Sequence, residues 1–206
     1  MKKQRLQFGL TLIDAGSDNE YVEFMEYIMC RYFSGGASFF MNVEPIATLE
    51  NIDYAIRNIC QNDSSIIVQV DADDSLIGEN ALSIIYDAYS NGADVTAGSM
   101  IRTDNARRYV VDFADPRHNR GGNVWVHPRT FLRRLYNSVP QSYLKISRRW
   151  IDCAEDCEYM VPISEIANKA KFIESCIYLY DPSMDKMKRS HVLQEKTISK
   201  LLSKPI

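Results

Sequence analysis

A cluster of carboxylates follows one short apolar run of the chain. Asp71, Asp73 and Asp74 come directly after residues 66–70, whose β-branched side chains are typical of a buried strand. Ligands bind at the strand ends of open α/β sheets. Carboxylates in such a cleft repel one another unless a cation lies among them. Because Mg²⁺ and Mn²⁺ take oxygen ligands and bridge to phosphates, the cluster predicts a metal and phosphate site.

Other interpretations of this cluster can be tested on spacing. A calcium loop of the EF-hand type that starts at Asp71 requires glycine where Leu76 stands, so that interpretation fails. A phosphatase or phosphomutase with an aspartate nucleophile would use Asp71 and Asp73, but Ser75 stands where threonine is usual and no supporting motif follows. A purely structural turn that caps a helix near Gly78 also stays open.

Composition restricts the class of protein. A chain of 206 residues is expected to form one domain, here residues 1–206. The net charge of −3 gives no basic field for nucleic acid or anionic membrane. Five cysteines without CxxC spacing indicate free thiols in a reducing compartment. No apolar stretch approaches the length of a membrane span, so we expect a soluble, cytoplasmic protein.

Strands and helices alternate along the chain, which predicts an α/β fold. Strands are expected at 10–13, 38–43, 66–70, 94–100, 109–113 and 172–180, and helices after Ser17, over 49–60, from Ala81 and after Glu155. Ser17 and Glu20 have the spacing of a capping box. Pro128 suits the first turn of a further helix that includes Leu135. A tail helix is expected at about 185–203.

Three acidic segments together resemble motifs of GT-A-fold glycosyltransferases, above all family 2. Residues 66–74 resemble the DxD motif, and residues 13–18 resemble the family's DDGSxD turn. Asp14 and Asp71 are 71 − 14 = 57 positions apart, close to the family's usual separation. Ala154-Glu155-Asp156 resembles the acidic pair that supplies the catalytic base. The resemblance extends over roughly residues 10–180.

The resemblance implies a fold and a reaction. The fold would be GT-A-like, or Rossmann-like, with a mixed, mostly parallel central sheet flanked by helices. The reaction would be metal-dependent transfer of a sugar from a nucleotide-diphosphate sugar, expected to be a UDP-sugar, to an acceptor hydroxyl with inversion. Asp73 would hold the Mn²⁺ or Mg²⁺ that bridges the two phosphates, and Asp71 would lie near the ribose or in the metal's water shell. His191 could reach the metal from the tail.

The remaining roles follow from the same resemblance. Asp156 would be the catalytic base, with Glu155 as its substitute, and Asp14 would face the nucleotide base. Arg117 and His118 lie in an irregular loop that could act as a lid, where they could meet diphosphate oxygens. The acceptor, a glycan, lipid or protein, is set by variable loops and is not identified by the sequence.

One departure from the family pattern keeps other functions open. The family's first strand and the helix after it should precede Asp14, but only thirteen residues do. That unit normally forms half of the nucleotide pocket, so a degenerate module that binds nucleotide or sugar without turnover is an alternative. A nucleotidyltransferase is another, although we find no glycine-rich basic loop after a first strand.

Overall fold

A computed structural model of the chain describes residues 4–33, 37–117, 126–151, 154–182, 197–200 and 203. The strands in these ranges are β1 (Leu10–Asp14), β2 (Ala37–Met41), β3 (Ile66–Gln69), β4 (Ser75–Leu76), β5 (Val95–Arg102), β6 (Arg108–Tyr109), β7 (Arg129–Leu132), β8 (Lys145–Ile146), β9 (Arg149–Trp150) and β10 (Ala170–Tyr180). The α-helices are α1 (Asn19–Tyr32), α2 (Thr48–Tyr54), α3 (Ala81–Ser90), α4 (Arg133–Ser138) and α5 (Glu155–Ile166). A π-helical turn, Ala55–Ile59, extends α2, and a 3₁₀ turn, Gln141–Leu144, follows α4.

The central sheet has the strand order β3-β7-β5-β10-β4, and β6 pairs with β5. Among the strand pairs described, β5 and β10 are parallel, whereas the other four pairs of this sheet are antiparallel. The expected mixed sheet is therefore confirmed, but the expectation that it is mostly parallel is wrong. The main reason is β7, which lies between β3 and β5 and runs opposite to both.

Strand β7 replaces the helix that was predicted to begin at Pro128. The His127–Pro128 peptide is cis, and the Pro128 ring lies against Gly98 of β5, where a Cβ atom would come within 2.6 Å of Cδ. The next residues alternate between the two faces of the sheet. Thr130 bonds Thr96 at 2.6 Å on one face, while Phe131 enters the aromatic core on the other. The helix begins only at Arg133.

The core lies between the central sheet and α5. The rings of Phe131, Tyr136 and Tyr159 are fully buried, with centroids 5.7 to 6.1 Å apart. A second apolar cluster joins α3 to β10 through residues such as Ile85 and Ile177. These contacts fix β3, which precedes the acidic turn, relative to β7 and to α5, which carries Asp156.

The N-terminal unit, β1-α1-β2, is built differently. Its two strands pair in parallel with each other and form a separate two-stranded sheet. No described residue from 4 to 48 is buried, and Tyr21, Phe24 and Tyr27 on α1 are exposed. The predicted capping box is wrong, because Asp18 is the residue before α1 and the Ser17 N–H bonds the Asp14 side chain instead.

Several shorter predictions have separate outcomes. The predicted helix 49–60 is confirmed as α2 with its π-helical turn, while the predicted strand 109–113 is reduced to β6. Residues 197–200 are helical, and most of the expected tail helix lies outside the described residues. Within those residues, no helix combines the length and apolar character needed to cross a bilayer.

Candidate functional site

The acidic turn after β3 is bonded to the end of β10. The Asp71 N–H donates to the Tyr178 hydroxyl oxygen at 3.2 Å, and the Asp74 N–H donates to the Asp71 carbonyl at 3.1 Å. The Asp74 carboxylate accepts from the Tyr178 hydroxyl at 2.7 Å and from the Asp181 N–H at 2.8 Å. Hydrogen bonds therefore fix the backbone of the turn at Asp71 and the carboxylate of Asp74.

The charge of this turn is concentrated. Burial raises the pKa of Asp74 to about 6, and the negative charges of Asp71 and Asp73 act in the same direction, against the hydrogen bonds from Asp181 and Tyr178. A cation beside the turn would relieve this repulsion and favour the ionised carboxylate. The turn therefore has the electrostatic character of a cation site.

The donor atoms fit a hard divalent cation. Asp71, Asp74 and His127 each offer a ligand atom, and these atoms lie within 4.8 Å of one another. The buried His127 accepts a hydrogen bond at Nε2 from Arg129 at 2.8 Å, so the two carboxylates are the better ligands. Of the predicted ligands, Asp71 lies in this group, Asp73 is exposed on the same turn, and His191 lies outside the described residues.

His127 is held as a neutral ring. Burial, and then the positive charge of Arg129, hold the pKa of His127 well below its ordinary value. The imidazole stacks on Tyr178 and Tyr180, with ring centroids 4.6 and 5.8 Å apart. The neutral His127 ring thus lies beside the Asp71 carboxylate, with Nε2 and Oδ2 3.5 Å apart, without adding positive charge to the turn.

A buried arginine joins the acidic turn to the start of α5. Arg129 is 3% exposed, and its Nη1 lies 3.2 Å from the Asp156 carboxylate. Its Nη2 lies 3.5 Å from the Asp71 carboxylate. Burial would lower the pKa of Arg129, but Tyr159 and the two carboxylates raise it above the ordinary arginine value, so the guanidinium is charged. Sequence reasoning assigned no role to this residue, because a helix was predicted from Pro128. A strand there would have placed Arg129 opposite Gln69.

Asp156 lies in the first turn of α5, beside this guanidinium. One carboxylate oxygen accepts from the Cys157 N–H at 3.0 Å, and the other faces Arg129. The buried Ala154 before the helix has a φ of 57°, a left-handed conformation that is costly for a residue with a Cβ atom. The chain therefore turns sharply to present Asp156. The side chain of Glu155 lies outside the described residues.

Asp14 lies at the end of β1 in the N-terminal unit. Its Oδ2 accepts from the N–H groups of Gly16 and Ser17, each at 2.9 Å. Partial burial raises the pKa of Asp14, but these hydrogen bonds outweigh it and lower the pKa overall. A cleft of about 260 Å³ opens nearby, and it is lined by Ile13, Phe40, Met41, Asn42, Ile46, Glu50, Asn51 and Tyr54.

Arg117 bonds α5 in this structure. Its guanidinium donates to both carboxylate oxygens of Glu165, at 2.6 and 2.7 Å, and to the Tyr143 hydroxyl at 3.1 Å. Its predicted contact with diphosphate therefore stays a prediction, and it would require this ion pair to rearrange. His118 lies outside the described residues.

Comparisons with known proteins give structural matches only. No protein-family model matches the sequence, and no curated protein matches it. The chain is similar to S. aureus TarS 1–349 in complex with UDP-GlcNAc, at a TM-score of 0.71 and 12% identity over 97% of this chain and 58% of that chain. The complex of TarS 1–349 with UDP gives 0.68 and 11% over 97% and 57%. The chain spans 34% of the chain in a further TarS structure, at a TM-score of 0.67.

Proposed function

The chain has a GT-A-like glycosyltransferase fold, and from that premise we propose that it transfers a sugar from a nucleotide-diphosphate sugar to an acceptor hydroxyl. One observation carries the proposal: a single buried guanidinium holds the Asp71 turn and Asp156 together. The similar TarS structures contain UDP and UDP-GlcNAc, which supports a UDP-sugar as the donor.

The acidic turn would receive the diphosphate. Asp71 and Asp74 would hold Mn²⁺ or Mg²⁺, with Asp73 at the exposed rim of the turn. When bound, the divalent cation supplies positive charge against the departing nucleoside diphosphate. The raised pKa of Asp74 supports this assignment, because a buried carboxylate between like charges favours a cation partner.

Asp156 would act as the general base. In an inverting transfer, the acceptor oxygen bonds the anomeric carbon, the bond from that carbon to the diphosphate oxygen breaks, and the acceptor proton moves to a carboxylate. Asp156 has one carboxylate oxygen held by its own helix and the other facing Arg129, so its position is defined. Glu155 would be the substitute base.

The N-terminal unit would contact the nucleotide. Asp14 and the cleft beside it would face the base, and Arg117 and His118 would approach the diphosphate once Arg117 leaves Glu165. The acceptor would be a hydroxyl of a glycan, lipid or protein. Each of these contacts can be tested separately from the chemistry at Asp156.

The test is release of UDP from UDP-GlcNAc with Mn²⁺, alongside other nucleotide sugars. Asp156→Asn is expected to lower release by about 10²-fold or more while UDP binding is retained. Asp87→Asn, an exposed change on α3, is the matched control and should leave release unchanged. Wild-type turnover in Asp156→Asn would contradict the assigned base.

A module that binds nucleotide sugar without turnover is the second candidate. The absence of buried residues among the described positions from 4 to 48 favours it, because a loosely held N-terminal unit could bind without closing a reactive site. It predicts that UDP and Mn²⁺ stabilise the protein while no donor releases UDP. Release of UDP with any donor would exclude it.

A further inference from the structure

The two halves of the proposed reaction site lie on elements that are far apart in the chain. The acidic turn follows β3, and Asp156 lies in the first turn of α5. The carboxylates of Asp71 and Asp156 both face the same guanidinium, that of Arg129. We infer that Arg129 is a positioning residue that sets the geometry between the diphosphate side and the base side, an inference that rests on the proposed function.

The shape of the guanidinium suits this role. Its two terminal nitrogens point to different partners, Nη1 to Asp156 at 3.2 Å and Nη2 to Asp71 at 3.5 Å, and Nη2 also donates to His127 at 2.8 Å. A planar fork makes these contacts at fixed angles. The single ammonium of a lysine would keep the charge but could not hold both carboxylates in the same way.

The backbone that presents Arg129 is fixed independently of its partners. Arg129 pairs with Gln69 in the β3–β7 ladder and with Ala97 in the β5–β7 ladder. The cis proline before it lies against Gly98, which has no Cβ atom to displace the ring. Arg129 therefore projects from a strand paired on both sides, whereas its partners lie on a turn and at a helix start.

The charge balance favours a role in the site over a role in packing. Two carboxylates on separate elements, those of Asp71 and Asp156, face the one guanidinium of Arg129. Arg129 thus lies between the acidic turn and Asp156 as the charged partner of both.

This arrangement lowers the stability of the fold at Arg129 itself. Arg129 Nε is buried and has no hydrogen-bond partner among the described residues. A buried donor without a partner destabilises the fold, so the arginine is oriented by its terminal nitrogens at the expense of Nε. If this buried position served packing alone, an apolar side chain would stabilise the fold more than an arginine does.

The experiment compares Arg129→Lys with Arg133→Lys in the full chain. Arg133 is also partly buried and bonds the Ile56 carbonyl at 2.8 Å, but it lies outside the site, so it controls for loss of a structural arginine. We measure UDP and Mn²⁺ affinity, the melting temperature, and kcat and KM for UDP release from UDP-GlcNAc. Both changes are also made together with Asp156→Asn.

The expected result for Arg129→Lys is a fall in kcat of about 10²-fold, with UDP affinity within about threefold of the wild type. In the Asp156→Asn background the same change should cause no further loss, because Arg129 acts through that carboxylate. Arg133→Lys should leave kcat unchanged.

Two results would overturn this inference but not the proposed function. One is a wild-type kcat in Arg129→Lys. The other is a fall in kcat in the double variant that equals the product of the falls in Arg129→Lys and Asp156→Asn. Failure of the wild type to bind or release UDP would instead overturn the proposed function together with this role.

Discussion

The N-terminal unit and the central sheet with α5 each carry acidic residues of the candidate site, but they hold them in different ways. Asp71 and Asp156 are fixed through Arg129, whose strand is packed into the aromatic core. Asp14 is fixed by hydrogen bonds within its own turn, in a unit where no described residue up to position 48 is buried. The comparison indicates that the half of the candidate site proposed for the chemistry is preorganised, whereas the half proposed for the nucleotide base has little packing to hold it.

The largest expected effect is on stability, when a buried and an exposed phenylalanine are each replaced by alanine. Phe131→Ala removes a fully buried ring between Tyr136 and Tyr159 and should lower the free energy of unfolding by about 3 to 5 kcal/mol. Phe24→Ala on the exposed face of α1 should change it by less than about 0.5 kcal/mol. Urea unfolding of both variants measures the contrast. Equal losses would show that the N-terminal unit is packed as tightly as the core.

UDP binding should reduce the difference in local stability between the N-terminal unit and the central sheet. At a UDP concentration of about 100 times Kd, linkage stabilises the bound state by about 2.7 kcal/mol. Amide exchange in β1 and β2 should therefore slow by up to about 100-fold, because these strands gain a partner that they lack. Exchange in β5 and β7 should change much less. Hydrogen–deuterium exchange with and without UDP tests this, and uniform slowing of all strands would contradict it.

A glycine pair tests how Asp14 is held. Gly16 has a φ of +97°, and a Cβ atom there would lie 2.8 Å from the Pro45 nitrogen, so Gly16→Ala should cost about 1 to 2 kcal/mol and weaken UDP binding. A Cβ atom at Gly9 would have no neighbour within 4 Å, so Gly9→Ala is the control. Thermal unfolding and UDP titration of both variants give the comparison. Unchanged UDP affinity in Gly16→Ala would remove the turn from the nucleotide site.

The smallest expected effect is the pH dependence of Mn²⁺ binding at the acidic turn. Because the pKa of Asp74 is about 6, Mn²⁺ affinity should fall by up to about tenfold for each pH unit below that value, as the proton competes with the cation. Calorimetric titration between pH 5 and pH 8 measures this fall. Asp74→Asn should bind Mn²⁺ more weakly at every pH and lose this part of the pH dependence.

The same carboxyl group affects stability in the metal-free protein. Its folded pKa lies above the ordinary value of 3.8, so its contribution to stability is fully present below about pH 4 and is lost as the pH rises through about 6. Asp74→Asn should remove this part of the pH dependence of the free energy of unfolding. A wild-type stability that rises over this interval through Asp74 would contradict the raised pKa.

Much of the fold could be predicted from local patterns. The strand before the acidic turn and the helix that carries Asp156 have apolar residues that packing then buries or covers, whereas the helix after Gly16 forms as predicted but leaves its apolar stripe exposed. The helix expected at Pro128 was wrong because Phe131 and Leu132 fit a helical stripe as well as a strand. What decided between them was the pairing of β7 with β3 and β5, which a local pattern does not contain.

The sequence predicted the acidic residues of the candidate site but not the arginine that lies between them. Asp71 and Asp156 could be chosen because carboxylates after a strand or at a helix start are locally recognisable. Arg129 was one arginine among many, since burial is a property of the folded chain. The neutral state of His127 likewise depends on the ring stack with Tyr178, which joins residues 51 positions apart (178 − 127).

The separate pairing of β1 with β2 has an evolutionary consequence. These strands share no backbone ladder with the central sheet in the described part of the chain, so substitutions there do not shift the register that aligns Gln69 with Arg129. Under the proposed function, Asp14 faces the nucleotide base, so substitutions around it would leave the carboxylates of the acidic turn undisturbed. Donor preference and catalytic geometry would then be separable traits, open to selection one at a time.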